Sequence, residues 1–161
     1  MGGRTDGCGR KYRLEGTFRL LYFRPRAADN FRMKGNRPAA AKLVVVIDDD
    51  PLVLEATNEL LSSWGCRVIG AQSFDEALNQ LVKIGRRPDL IVCDYRLSEG
   101  ATGVDVIAGL RSAFEIPALL ISGDSSAPAA EDAHDSYKLL RKPVNAQVLR
   151  AALVGACVLQ N

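Results

Sequence analysis

The sequence predicts an α/β fold: a doubly wound, five-stranded parallel sheet with helices on both faces. Three observations carry that expectation. Two apolar runs, Leu43-Val44-Val45-Val46-Ile47 and Leu90-Ile91-Val92-Cys93, lack the alternation of a half-exposed strand. Unbroken runs of this kind are what a strand buried on both faces looks like. From Leu43 onward, strand-like and helix-like patterns follow one another, which is the signature of a parallel sheet with crossover helices. Both runs also end in carboxylates, at Asp48-Asp49-Asp50 and at Asp94. Open α/β sheets bind ligands outside the carboxyl ends of their strands.

The elements are read in order. Strand one is about Leu43–Ile47. Pro51 suits the first turn of a helix, with Asp50 as its N-cap. That helix carries Leu52, Val53, Ala56, Leu60 and Trp64 at helical spacing, and Gly65 stops it. Arg67–Ala71 is a short second strand. Ser73-Phe74-Asp75-Glu76 is a capping box opening a second helix, with Ala77, Leu78, Leu81 and Val82 as its apolar stripe. Asp89–Cys93 is strand three, and Gly100 and Gly103 loosen the loop after Asp94. A third helix faces Val104, Ile107 and Leu110 inward. Pro117 precedes strand four, Ala118–Ile121, which ends at Ser122-Gly123. Residues 127–136 read as a weak, short helix. Tyr137–Arg141 is strand five, ending at Lys142-Pro143. Residues 145–158 form a last helix with Val148, Leu149, Ala152 and Leu153 inward.

Composition narrows the class. The chain has 161 residues, enough for one domain with a real core. No apolar stretch approaches a bilayer span, so a cytoplasmic protein is expected. The four cysteines, Cys8, Cys66, Cys93 and Cys157, form no C-x-x-C pair, and His134 is the one histidine. They read as small core or surface residues in a reducing compartment. The net charge of +2 conceals a split. Residues 1–42 hold eleven Lys/Arg against three acids; residues 43–161 hold ten against sixteen. The first segment reads as a basic, disordered extension, with at most a short ordered piece at Phe18–Phe23. A solvated tail or an upstream extension of the coding frame is the plain reading. Its Arg-rich composition also fits a targeting peptide, or contact with nucleic acid or an anionic surface.

Five polar residues fall at one edge of the expected sheet. Asp48 and Asp49 follow strand one, Asp94 ends strand three, Ser122 ends strand four and Lys142 ends strand five. Each alone fits a turn or a cap. Together they describe a site. Carboxylates gathered in one crevice repel unless a cation joins them, and Mg²⁺ prefers oxygen ligands. The chemistry indicated is phosphoryl transfer at an aspartate.

Residues 43–155 resemble the receiver domain of two-component response regulators. The residues that carry the resemblance are Asp48-Asp49, the aspartate of Asp94-Tyr95-Arg96-Leu97, Ser122-Gly123 and Lys142-Pro143. The wording is particularly similar to receivers at the C-terminus of hybrid sensor histidine kinases, through Asp50–Glu55, Ser63–Cys66, Arg87–Ile91 and Leu119–Asp124. The resemblance implies a flavodoxin-like sheet of order 2-1-3-4-5 over residues 43–158. It implies that Asp94 is the phosphoacceptor for a phosphohistidine on a sensor histidine kinase or phosphotransfer protein. Mg²⁺ (or Mn²⁺) would be held by Asp49, Asp94, the backbone carbonyl of Arg96 and waters oriented partly by Asp48. Lys142 would pair with Asp94 and then with a phosphoryl oxygen. Ser122 would donate to another, and Lys142-Pro143 would be a cis peptide. Such a chain is a signalling phosphoacceptor that promotes its own phosphotransfer and dephosphorylation rather than an enzyme acting on others, whether freestanding or part of a hybrid kinase. A dimer is compatible with it. No output domain is expected after Lys142, where only a helix and a short tail remain.

There are departures from the pattern. Receivers often carry an aromatic switch residue three positions before the lysine, and here that position is Leu139, with Tyr137 on the same face. Two other readings compete. A phosphorylation-independent interaction module of the same fold is one, against which the intact acid pair, Asp94 and Lys142 all speak. A haloacid-dehalogenase-type phosphatase is the other: it too opens on a strand ending Asp-x-Asp and uses a later Ser and Lys. It needs a further acid pair beyond the lysine, and residues 143–161 contain no Asp or Glu.

Overall fold

An unbroken β-branched run leaves neither face of a strand to water, and strand β1 (Leu43–Ile47) is buried along its whole length. The computed structural model describes residues 41–125 and 137–158 of the chain. The basic segment through residue 40, the helix expected over 127–136 and His134 lie outside the described residues. Four further strands accompany β1: β2 (Arg67–Ala71), β3 (Leu90–Asp94), β4 (Ala118–Ser122) and β5 (Lys138–Arg141). Every pairing is parallel, and the order is β2-β1-β3-β4-β5.

Among the described residues the helices are α1 (Pro51–Ser63), α2 (Phe74–Ile84), α3 (Gly103–Phe114) and α4 (Ala146–Val158), with a 3₁₀ turn at Ser98–Gly100. Strand residues alternate between the two sheet faces, and so build two cores. Leu43, Val45, Ile47, Ile91, Cys93 and Leu120 meet the buried residues of α2 and α3 on one face. Val44, Val46, Leu90, Val92, Leu119 and Leu140 meet α1 and α4 on the other. Tyr137 and Leu139 both pack on the first of these, as strand alternation requires.

Local signals set the helix ends. The Asp50 side chain accepts the Leu52 N–H, Pro51 opens α1, and Gly65 follows it with φ +83°. At α2, Ser73 accepts the Glu76 N–H, but Glu76 reaches back to the N–H of Gln72 rather than Ser73. The capping box therefore closes one residue further upstream than its usual form.

Three apolar stripes differ from expectation. On α1 only Leu61 is fully buried; Leu54, Leu60 and, at the helix cap, Trp64 are half-buried against the same core, whereas Leu52 (73% exposed), Val53 and Ala56 face outward. The Asp50–Pro51 start fixes the helix rotation, and residues seven apart, 54 and 61, then meet the sheet. Full burial of Leu61 contributes about 1.5–3 kcal/mol. Val82 follows the buried Leu81 and Val148 precedes the buried Leu149, and both are likewise exposed. Arg150 lies over the Trp64 ring at 5.8 Å and ties α4 to the end of α1.

Gly103 does not loosen the loop after Asp94, as the sequence suggested; it begins α3 in close contact with β3. A Cβ there would lie 2.1 Å from the Asp94 carbonyl oxygen and 2.8 Å from Leu120 Cδ1. The Gly103 N–H donates to the Tyr95 carbonyl at 2.8 Å, so the contact is held from both sides. Gly103→Ala should destabilise the fold by roughly 1–3 kcal/mol. Gly155→Ala, in α4 with nothing within 4 Å of its Cβ, should lose nothing and gain up to about 1 kcal/mol. Urea unfolding of both variants checks the contrast; equal stability of the two would contradict the close approach.

Candidate functional site

Strand register brings the polar residues to one edge. Ile47 pairs with Cys93, so Asp48 follows level with Asp94. Asp94 pairs with Ile121, and Ser122 is the next residue of β4. Ser122 pairs with Arg141, and Lys142 comes next, its N–H donating to the Ser122 carbonyl at 2.9 Å. The edge is thus a consequence of backbone pairing, and the side chains need no long reach to meet. The cleft above it, about 460 Å³, is lined by Asp94, Tyr95, Arg96, Ser122, Gly123, Asp124, Ser125 and Lys142.

Asp94 is 9% exposed and Asp48 is 7% exposed. One oxygen of Asp94, Oδ2, accepts the Arg96 N–H at 2.9 Å. The other, Oδ1, is buried without an aligned hydrogen bond, and the Lys142 ammonium lies 2.6 Å from it as an ion pair. Asp48 Oδ1 accepts the Asp50 N–H at 3.0 Å, and Asp49 Oδ2 accepts the Ser98 hydroxyl at 2.6 Å. The Lys142-Pro143 peptide is cis.

The charges respond to this crowding. Burial raises the Asp48 carboxyl above its ordinary range, and the charges of Asp94 and Asp49 push the same way; the Asp50 N–H and Lys142 oppose them. Burial also works against the charged form of Lys142, but Asp94, then Asp48 and Asp49, outweigh it and hold its pKa above the usual lysine value. The Cys93 thiol is pushed up by burial and then by the neighbouring acids. It is an inert core group, as the sequence suggested.

The structure brings Asp48, Asp49, Asp94 and Lys142 together. Ser122 lines the same cleft, but its hydroxyl is engaged with its own turn: it accepts the Asp124 N–H at 3.0 Å and lies 3.4 Å from the Asp124 carbonyl. Three contacts were not legible in the sequence. Arg96 projects its guanidinium to Asp124, Nε at 3.0 Å from Oδ2. Arg141 donates to the Asp124 carbonyl. Ser98 reaches Asp49, forty-nine positions away. Asp124 lies two residues beyond Ser122, and its charge was the one available signal.

These residues fit a hard divalent cation. The donor set is all oxygen, three carboxylates face one ammonium, and Asp94 Oδ1 is buried with unused acceptor capacity. Among the described residues no group of three such side chains is already drawn around one point. Asp94 Oδ1 is turned to Lys142, so ligation through that oxygen would redirect it, whereas Ser98 occupies only the Oδ2 of Asp49.

The Asp48 shift has a definite pH signature. Its folded pKa is raised above 3.8, so its favourable contribution is complete below 3.8 and is lost as pH rises through the folded value. Asp48→Asn keeps an oxygen for the Asp50 N–H and removes the charge. The variant should be more stable than the parent at pH 7 in EDTA, with the gap narrowing as pH falls toward 3.8. Urea unfolding at both ends of that range is the check; a gap independent of pH would contradict it.

Comparison with known proteins agrees with this geometry. The model of the response regulator receiver domain matches residues 44–154. The chain is 27% identical over 118 residues to the phyllosphere-induced regulator PhyR of Methylorubrum extorquens, covering 73% of this chain and 44% of that protein. It is 34% identical over 117 residues to the transcriptional regulatory protein ZraR of Escherichia coli O157:H7, covering 70% of this chain and 26% of that one. The chain therefore spans less than half the length of these regulators. Solved structures similar in fold include a response regulator receiver domain protein from Clostridium thermocellum, with TM-score 0.66, 24% identity and coverage of 74% of this chain and 96% of that one. The receiver domain of PhyR from Erythrobacter litoralis gives TM-score 0.61 at 22% identity, covering 76% and 94%. By sequence match, sheet order and the acids at the carboxyl edge, the chain belongs to the response regulator receiver family of two-component signalling.

Proposed function

We propose that Asp94 is the phosphoacceptor of this receiver, taking its phosphoryl group from a phosphohistidine of a sensor histidine kinase or phosphotransfer protein. The observation that carries the reading is the buried Asp94 carboxylate, paired with Lys142 at 2.6 Å and flanked by Asp48 and Asp49. An Asp94 oxygen attacks phosphorus, the phosphorus–nitrogen bond breaks, and the imidazole leaves with its electron pair. The product is an acyl phosphate on Asp94. Phosphoryl transfer asks mainly for alignment and charge neutralisation. Lys142 supplies a positive charge already within reach of the acceptor and moves with it from carboxylate to phosphoryl oxygen. Ser122, 1% exposed, stands at the next strand end and donates its hydroxyl to another phosphoryl oxygen once it leaves the Asp124 turn. Asp49, Asp94 and the Arg96 carbonyl would hold a Mg²⁺ (or Mn²⁺) ion, with Asp48 orienting its waters, and the ion would supply the remaining positive charge.

The same arrangement supports a role in promoting its own phosphotransfer and dephosphorylation. With no helix among the described residues long and apolar enough to cross a membrane, a cytoplasmic setting is part of the proposal. A phosphatase of haloacid-dehalogenase type is not favoured. It leaves Asp94 idle, although Asp94 sits at the centre of the acids.

Two experiments test the roles. Incubation with acetyl phosphate and Mg²⁺ should add one phosphoryl group to the parent chain, read by intact-mass spectrometry. Asp94→Asn should abolish the addition with little loss of stability; equal labelling of the variant would sink the assignment. Asp49→Ala should weaken Mg²⁺ binding by more than the roughly tenfold that loss of a merely supporting group costs. It should also stabilise the metal-free fold, since one of three repelling carboxylates is gone. Calorimetric titration with MgCl₂ and EDTA-buffered unfolding read the two effects, and unchanged affinity would refute a ligand role for Asp49.

A further inference from the structure

We infer that Ser98 is a positioning residue for the cation site, acting through Asp49; the inference rests on the proposed Mg²⁺ site. The Ser98 hydroxyl donates to Asp49 Oδ2 at 2.6 Å. The short distance is that of a charge-assisted bond to an ionised carboxylate. It joins two segments that belong to different βα units. Asp49 follows β1, whereas Ser98 opens the 3₁₀ turn in the loop after β3. That loop also carries the Arg96 carbonyl, so the bond ties together two oxygen donors meant for one ion.

The loop is built to hold Ser98 in place. Arg96 bridges to Thr102 in an antiparallel pair, the Leu97 N–H donates to the Ala101 carbonyl at 3.3 Å, and the Gly103 N–H donates to the Tyr95 carbonyl at 2.8 Å. Ser98 sits at the tip of this closed excursion. The backbone that presents it to Asp49 is therefore held, although the side chain itself is exposed.

A carboxylate has two oxygens. A hydroxyl that occupies Oδ2 leaves Oδ1 for a cation and stops the group from spinning. Ligating carboxylates are commonly held by such hydrogen bonds, and loss of the partner typically costs about 10–100-fold in metal affinity. Both residues here keep contact with solvent, so the low end of that range is expected.

Calorimetric titration with MgCl₂ alone tests this on the full chain. Ser98→Ala should raise the Mg²⁺ dissociation constant about tenfold. Ser98→Thr, which keeps the hydroxyl, should restore the parent value. Unfolding in EDTA should show Ser98→Ala as stable as the parent, which separates positioning from folding. An unchanged constant in Ser98→Ala would overturn the inference while leaving the cation site standing. A tighter constant would overturn it too, since Ser98 would then compete with the ion. If the parent chain itself binds no Mg²⁺, the site fails and the inference fails with it.

Discussion

Three carboxylates share the carboxyl edge of the sheet with one ammonium, and this imbalance governs the rest. Lys142 is the one cation in contact with Asp94 among the described residues, at 2.6 Å. Asp48 and Asp94 are almost fully buried. Like charges held this close at low solvent access cost free energy. Burial first, and then the charges of Asp94 and Asp49, raise the Asp48 carboxyl above its ordinary range, while attraction to the acids holds Lys142 above the usual lysine value. Such a cluster persists only where the surrounding fold imposes it. A site that is deficient in positive charge before its ligands arrive is suited to a divalent cation and a phosphoryl group together.

The imposing element is the backbone. Parallel pairing from Ile47 through Cys93 and from Asp94 through Ile121 sets the strand ends level. Strands β1 and β3 are buried on both faces, so neither can slip by a residue without burying a carboxylate or exposing an aliphatic side chain. Gly103 adds a second restraint by seating α3 directly on the Asp94 carbonyl. Hydrophobic burial thus supplies the free energy that holds the acids together.

Much of this was legible in sequence, for a physical reason. Unbroken apolar runs mark central strands, and a polar residue at the end of each run must lie at the sheet edge. That logic places Asp48, Asp49, Asp94, Ser122 and Lys142 without any knowledge of side-chain contacts. Helix rotation was less legible. Leu52 and Val53 are apolar yet exposed, because the Asp50 cap and Pro51 set where the helix begins and so which residues meet the sheet. Loop chemistry was least legible. The Ser98–Asp49 and Arg96–Asp124 contacts join residues forty-nine and twenty-eight positions apart through non-periodic backbone. Gly103 was misread for the same reason: sequence shows a glycine's freedom but not the carbonyl pressed against it.

The central claim is that the acid edge lacks positive charge and that a divalent cation supplies it. Anything that binds the folded state alone raises its stability by mass action. The direct measurement is the thermal midpoint of the chain titrated with MgCl₂ against NaCl at matched ionic strength. A rise that saturates with Mg²⁺ and is absent with Na⁺ is the predicted result. A midpoint that responds equally to both salts would contradict the account.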